Sequence, residues 1–358
     1  DVLGKLVIVS EGSAAGIPSM GQGGNRAFNA NPASPMSKMR NAMAKGAAGL
    51  CIINADFPKK TATPTKGNMY TKANTAKGFA MLSISKTLAN EILGTSNYTK
   101  GSFATQVNLV ATKVTENLES SNVVGYVPGT DKKDEYLVVS AHYDHLGKRG
   151  DVIWYGADDD GSGTVSVMQM AETFAQAAKK GKGPRRSVVF IIVSGEEKGL
   201  WGSDYYSEHP LFPLANTTAD LNIDMVGRVD TERQTADSLN YVYVIGHDKL
   251  STDLPIINEA ANKASTNLTL DYKYDDPADK NMIYYRSDHY NFAKKGVPVL
   301  FFYDGMLLAD YHQPTDTIEK INFDLMQRRV MMIYYTAAEM ANRDEMLKRD
   351  LKLNMPSR

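Results

Sequence analysis

The chain has 358 residues, 42% of them apolar and 23% charged, enough for two domains or one large domain with an added module; a disordered or fibrous chain is excluded. Forty Lys/Arg against 41 Asp/Glu leave a formal net charge of −1, which argues against a protein that wraps nucleic acid. That sum hides a partition, because residues 1–115 carry 13 basic and 4 acidic side chains while residues 116–358 carry 27 and 37.

The single cysteine, Cys51, can form no internal disulfide and lies in the apolar run GLCIINA, so it reads as a buried thiol. The longest apolar run, Val188 to Val193, has six residues, against the roughly 20 needed to cross a bilayer, so no membrane span is expected. The sequence begins at Asp1 without an initiator Met and without a basic, then apolar, then small-residue stretch, so any targeting segment is expected to have been removed or to lie outside this sequence.

In chain order, Lys5–Ser10 reads as a strand, residues 12–35 as a Gly-, Ser-, Asn- and Pro-rich loop, Met36–Ala48 as a helix and Gly49–Asn54 as a strand. Further runs at Phe79–Ile84 and Ala104–Ala111 complete a small strand-rich module. From Asn122 strands alternate with helices, the mark of an α/β domain with a largely parallel sheet. The expected strands are Tyr136–Ala141, Ser187–Ser194, Ala219–Met225, Tyr241–Ile245 and Val297–Tyr303, several being continuous apolar runs as in strands covered on both faces. The clearest helices are Gly163–Lys180, Asp253–Ala264 and Asp324–Asn342. In such a sheet, functional residues collect at the carboxyl ends of the strands.

Five motifs occupy those ends. His142 and Asp144 follow the strand ending at Ala141, and a carboxylate commonly fixes the orientation of a metal-bound imidazole. Asp158, Asp159 and Asp160 are three consecutive acids in the Gly-framed loop GADDDGSG, where mutual repulsion calls for a cation or a helix N-terminus. Glu196 and Glu197 close the most apolar strand, so one could bind metal while the other accepts a proton. Asp224 sits in an apolar run where an unpartnered carboxylate is costly, and His312 in YHQPTDT supplies a second imidazole. Two histidines with several carboxylates suit zinc better than calcium or magnesium.

The succession HYDHLG, GADDDGSG, SGEEKGLWGS, NIDMVGR, RSDHYNFAKKGVPVLFF and YHQPTDT resembles the two-zinc exopeptidases of the bacterial and vacuolar aminopeptidase type, related to glutamate carboxypeptidase, over about residues 113–345. GKLVIVS, GAAGLCIIN and FAMLSIS resemble a protease-associated domain, expected to be incomplete at its N-terminus. The resemblance implies an α/β zinc-exopeptidase sandwich, with a central mostly parallel mixed sheet covered by helices on both faces, over residues 113–358, and a small β-rich protease-associated domain over 1–112. It further implies two Zn²⁺ per chain. One would be held by His142 and Asp224 and the other by Glu197 and His312, with Asp159 bridging; Glu196 would be the general base and Asp144 the group orienting His142. The bridging residue of this family stands three before the Ser of GADDDGSG and is often followed by a cis peptide. Asp158 and Asp160 have a competing reading as caps or loop hydrogen-bonding groups, and only Asp159 is assigned to metal.

Met225, Tyr311 and His289 are candidates for the substrate pocket, with packing beside the sheet as the competing reading. Asp288 and Asp316 could support the site or simply cap and turn the chain. His209 and His247 read as surface turn residues, and His145 either lines the cleft or is a satisfied structural histidine. The expected activity is aminopeptidase action on peptides, and the expected setting is secreted, periplasmic or cell-envelope. The alternatives are a carboxypeptidase or dipeptidase, with Arg286 and Arg228 as candidate carboxylate holders, a glutaminyl cyclase, or an inactive receptor-like ectodomain. The sequence leaves the oligomeric state open.

Overall fold

The computed structural model describes residues 2–12, 32–58, 79–97, 100–110 and 116–353. The chain divides into two compact units, Asp1–Asn117 and Leu118–Arg358.

In the first unit, β1 (Leu6–Ser10), β2 (Gly49–Ile53) and β3 (Ala80–Ile84) form a three-stranded parallel sheet in the order β1-β2-β3. The central strand GLCII is buried throughout, which explains its unbroken apolar run and places Cys51 in the core. Helix α1 (Pro35–Ala44) starts at Ser34, whose hydroxyl accepts from the Ser37 amide at 3.1 Å, with Pro35 at a position that needs no N–H. It ends earlier than its apolar spacing suggests because the chain turns at Gly46 (φ 72°). Helix α2 (Lys86–Leu93), unanticipated from the sequence, is capped by Ser85 and ended by Gly94 in the left-handed region. Residues 104–110, expected to be a strand, are exposed and irregular. Most of the expected loop 12–35 and Ala111 lie outside the described residues.

The second unit is built on a seven-stranded sheet: β4 (Val123–Val127), β5 (Lys132–His142), β8 (Arg186–Val193), β9 (Thr217–Ile223), β10 (Tyr241–Ile245), β11 (Thr269–Asp271) and β12 (Val299–Tyr303), in the order β11-β10-β12-β9-β5-β8-β4. Strands β12, β9, β5 and β8 are parallel, while β4 and β10 run antiparallel to their neighbours in that core. A separate hairpin joins β6 (Gly147–Arg149) to β7 (Val152–Trp154).

Side chains alternate across each central strand and so feed two cores. Leu137, Val139, Val188, Phe190, Leu221 and Phe302 join Val167 and Met170 of α3 (Gly161–Lys179), Leu254 and Ile257 of α5 (Asp253–Ala264), and Met332 and Ile333 of α7 (Phe323–Asn342). Val138, Val189, Ile191 and Phe301 join Tyr206 of α4 (Trp201–Glu208) and Phe292 of α6 (His289–Lys294). The sheet is therefore mixed and covered on both faces, as expected. Among the described residues, no helix is long and apolar enough to cross a membrane.

Candidate metal centre

Strand register assembles the site. His142 ends β5 opposite Val193, the last residue of β8, and Ser140 lies opposite Asn222 of β9. Two residues on from that last pair, His142 and Asp224 emerge side by side, with Asp224 just beyond the strand and not within it as the sequence suggested. After β8, Gly195 in the left-handed region turns the chain, and Glu196 and Glu197 follow in a single 3-10 turn. Met225 and His312 are held at φ 58° and 57°, conformations that non-glycine residues adopt mainly where surrounding structure enforces them.

The three consecutive acids divide their labour. The Asp160 carboxylate accepts from the amides of His142 (3.2 Å), Gly163 (2.9 Å) and Met225 (3.1 Å), tying β5, α3 and the end of β9 together as the N-cap of α3. Asp158 accepts from the Gly227 amide at 2.8 Å. Burial, reinforced by Asp304 for Asp158 and by Asp224 for Asp160, pushes both carboxyls well above their usual range. Asp159 alone turns to the histidines, and the peptide after it is cis. Its Oδ1 lies 3.4 Å from His142 Nε2 and its Oδ2 3.2 Å from His312 Nε2. Asp316 fixes this loop from behind, accepting from the amides of Asp158 (3.0 Å) and Asp159 (3.1 Å).

Two groups of possible ligands share Asp159. His142, Asp159 and Asp224 form one, with His142 Nε2 3.6 Å from Asp224 Oδ1. The other gathers His145, Asp159 and Glu197, and His312 Nε2 comes within 3.2 Å of Glu197 Oε2. All five residues expected as ligands are thus brought together, and His145 joins them. Asp159 Oδ2 and Glu197 Oε1 are buried without a hydrogen-bond partner among the described residues. Orphaned buried oxygens facing imidazoles are a donor set that fits zinc. Burial disfavours charge on His142, but Asp224 and Asp159 outweigh it and lift its pKa well above 6.5.

Glu196 Oε2 lies 4.0 Å from His142 Nε2. Burial raises the Glu196 carboxyl well above its ordinary value, with His142 opposing and Asp288 and Asp224 adding to the rise. Asp144 departs from its expected role. His142 Nδ1 meets the Asp144 main-chain carbonyl at 2.9 Å, while the carboxylate stands 3.9 Å away and accepts instead from the Glu196 amide at 3.1 Å. The side chain therefore positions Glu196 and the carbonyl orients His142, because a carboxylate two residues beyond the strand end points at the next strand's turn.

Beside these groups lies a pocket of about 350 Å³ including its open mouth, lined by Met225, Ile283, Phe301, Tyr303 and Leu307 and, on its polar side, by Glu196, Arg286, Tyr311 and His312. Arg286 donates to the Tyr311 hydroxyl at 2.8 Å, and the Tyr311 ring stacks on His312 at 3.9 Å. Met225 and Tyr311 line this pocket. His289 does not: it is wholly buried, its ring stacked on the back of Phe301, and burial pushes its pKa down to about 3. Arg228 is committed to Asp310 at 2.6 Å, and His247, expected at the surface, is paired with Asp275 and stacked on Tyr272. Asp288 accepts from Ser203 at 2.5 Å behind the site.

The sequence profile of peptidase family M28 matches residues 122–337, more than half of the chain. The chain belongs to this family. A probable leucine aminopeptidase of Arthroderma otae is 27% identical over 64% of this chain and 60% of the relative, and a probable zinc metalloprotease of Pyrenophora tritici-repentis is 27% identical over 61% and 51%. The chain spans only 30% of another relative, a probable zinc metalloprotease of Leptosphaeria maculans, with 32% identity over 37% of this chain. Among solved structures, an aminopeptidase from Aneurinibacillus sp. strain AM-1 aligns over 100% of this chain and 78% of its own with a TM-score of 0.53 at 22% identity. BSAP, a zinc aminopeptidase from Bacillus subtilis, aligns over 98% and 74% with a TM-score of 0.52 at 20% identity. These likenesses establish the M28 fold.

Proposed function

We propose that the chain is a two-zinc exopeptidase, an aminopeptidase that releases apolar N-terminal residues from peptides. The observation that carries this reading is the pair of ligand groups sharing Asp159, with Glu196 beside them at the mouth of a small, largely apolar pocket. Bound zinc would supply Lewis acidity toward the scissile carbonyl and a lowered pKa for the attacking water. Glu196 takes the proton from that water and returns it to the leaving amine, and it is held in place by its amide's hydrogen bond to the Asp144 carboxylate. Tyr311 is kept neutral by burial and is aimed by Arg286, so its hydroxyl can donate to the oxyanion that develops on the carbonyl. Met225, Ile283, Phe301 and Leu307 give the pocket an apolar side beside the ligand groups, which suits the side chain of an apolar terminal residue.

A second reading rests on Arg286. It lines the pocket, so it could hold a substrate carboxylate and make the enzyme a carboxypeptidase or dipeptidase. Reporters with a free and a blocked N-terminus separate the two: turnover of free-amine substrates alone supports the aminopeptidase, turnover of N-blocked ones the alternative. Hydrolysis that survives both chelation and the substitutions Glu196→Ala and Asp159→Asn overturns both. We assign the first unit to a protease-associated module, a reading supported by the runs GKLVIVS, GAAGLCIIN and FAMLSIS, which supply its three strands. An extracytoplasmic setting belongs to the same reading, and finding the protein only in cytosolic fractions overturns it.

A further inference from the structure

We propose that His145 is a third imidazole ligand of the metal centre, bound through Nδ1 at the site shared by Asp159, Glu197 and His312. This rests on the two-zinc reading above and adds a donor to it. Three residues beyond the end of β5, His145 places Nδ1 2.9 Å from Glu197 Oε1 and 3.8 Å from Asp159 Oδ2. These are the carboxylates that His312 approaches from the other side, and the two imidazole rings stand edge to face at 5.8 Å.

The His145 side chain is only 8% exposed, yet neither ring nitrogen has a hydrogen-bond partner among the described residues. Nδ1 and Glu197 Oε1 meet as an ion pair, and Glu197 Oε1 and Asp159 Oδ2 have no hydrogen-bond partner among the described residues. Two carboxylate oxygens and an imidazole nitrogen that converge in this way form a donor set that a cation can hold together.

The seat is also built for the ring. A Cβ on Gly156 (φ 64°) would fall 2.5 Å from His145 Cγ and 2.5 Å from the Asp159 carbonyl oxygen. Glycine there lets the ring lie against the loop that carries Asp159. The consequence is an unequal pair. The group of His142, Asp159 and Asp224 offers three protein donors, while the group of His145, Asp159, Glu197 and His312 offers four, so an ion held there would be bound more fully by protein.

The test uses the full chain loaded with cobalt(II), read by metal analysis and by proton NMR of the exchangeable imidazole N–H signals shifted by the paramagnetic ions. Two ions per chain and three such resonances, from His142, His145 and His312, are expected, falling to two resonances in His145→Ala. Two ions with only two resonances in the unsubstituted protein overturns the role of His145 alone; one ion per chain at saturation overturns the two-metal reading itself. In chelator competition His145→Ala should release one ion at least tenfold more readily and retain the other, and release unchanged from the unsubstituted protein overturns the assignment. The resonance count on the unsubstituted protein decides the matter if the variant does not fold.

Discussion

Asp316 holds the bridging loop by its backbone, so Asp316→Ala tests whether that hold is what places Asp159. The side chain is 1% exposed and accepts from two buried amides, those of Asp158 and Asp159. Removing it strands both donors, at about 1–3 kcal/mol each, or about 2–6 kcal/mol together. Burial raises the Asp316 carboxyl's own pKa, so deleting it relieves some desolvation, and the expected loss lies in the lower part of that range, about 2–4 kcal/mol. Both tryptophans of the chain, Trp154 and Trp201, lie in the second unit, so fluorescence-detected denaturant unfolding of the metal-free protein reports that unit alone. Metal affinity or turnover should fall about 10–100-fold as well. Asp316→Asn keeps one acceptor oxygen and should lose less on both counts. If Asp316→Ala unfolds within about 0.5 kcal/mol of the unsubstituted protein, the margin of an ordinary surface change, and binds metal normally, the loop is held by something else.

Gly163→Ala would put a Cβ 2.2 Å from the Ile223 carbonyl oxygen and 2.3 Å from Asp160 Oδ1, so a loss of about 1–3 kcal/mol is expected in the same unfolding assay. Tyr311→Phe should lower kcat by about 10²-fold with KM little changed, and an effect confined to KM would remove the hydroxyl from the transition state. Burial pushes the Asp275 pKa up, but His247, Lys249 and the Gly246 amide outweigh it and hold the carboxyl below its ordinary value. Its contribution to stability is therefore present above the unfolded pKa of about 3.9 and lost as pH falls through the lower folded value. Asp275→Asn should flatten that acid limb of the unfolding curve, and equal slopes would refute the assignment. Chelation should lower the unfolding temperature of the second unit by mass action, and Asp159→Asn should abolish most of the difference in calorimetry.

The central strands β8 and β12 were legible because they are buried and read as apolar runs, and α5 matched its expected span from end to end. What escaped lacked a periodic signal. β4 is an edge strand with exposed Val123 and Tyr126, so it has no continuous apolar run, and β11 has three residues. The six residues of α6 are too few to show a helical period, and they were visible only inside a motif. Conversely, the run at 104–110 has strand-like composition but no neighbouring strand to complete its hydrogen bonds among the described residues, and composition cannot supply one.

The donor types of the metal centre were legible in the motifs, but how like residues divide the work depends on register and packing. Three adjacent aspartates are chemically the same, and only the meeting of β5, β9 and α3 makes Asp160 a cap and leaves Asp159 free. The two undecided histidines make the same point more sharply. His145 and His289 each adjoin an aspartate within a motif, and each has a buried side chain whose two ring nitrogens lack a hydrogen-bond partner among the described residues. His289 lies between Phe301 and Tyr284, a setting that keeps it neutral. His145 faces two orphaned carboxylate oxygens across a glycine that gives it room. Identical chemistry at the level of residue type becomes filler in one place and a candidate ligand in the other, and the deciding quantity is what lies within 4 Å of the ring.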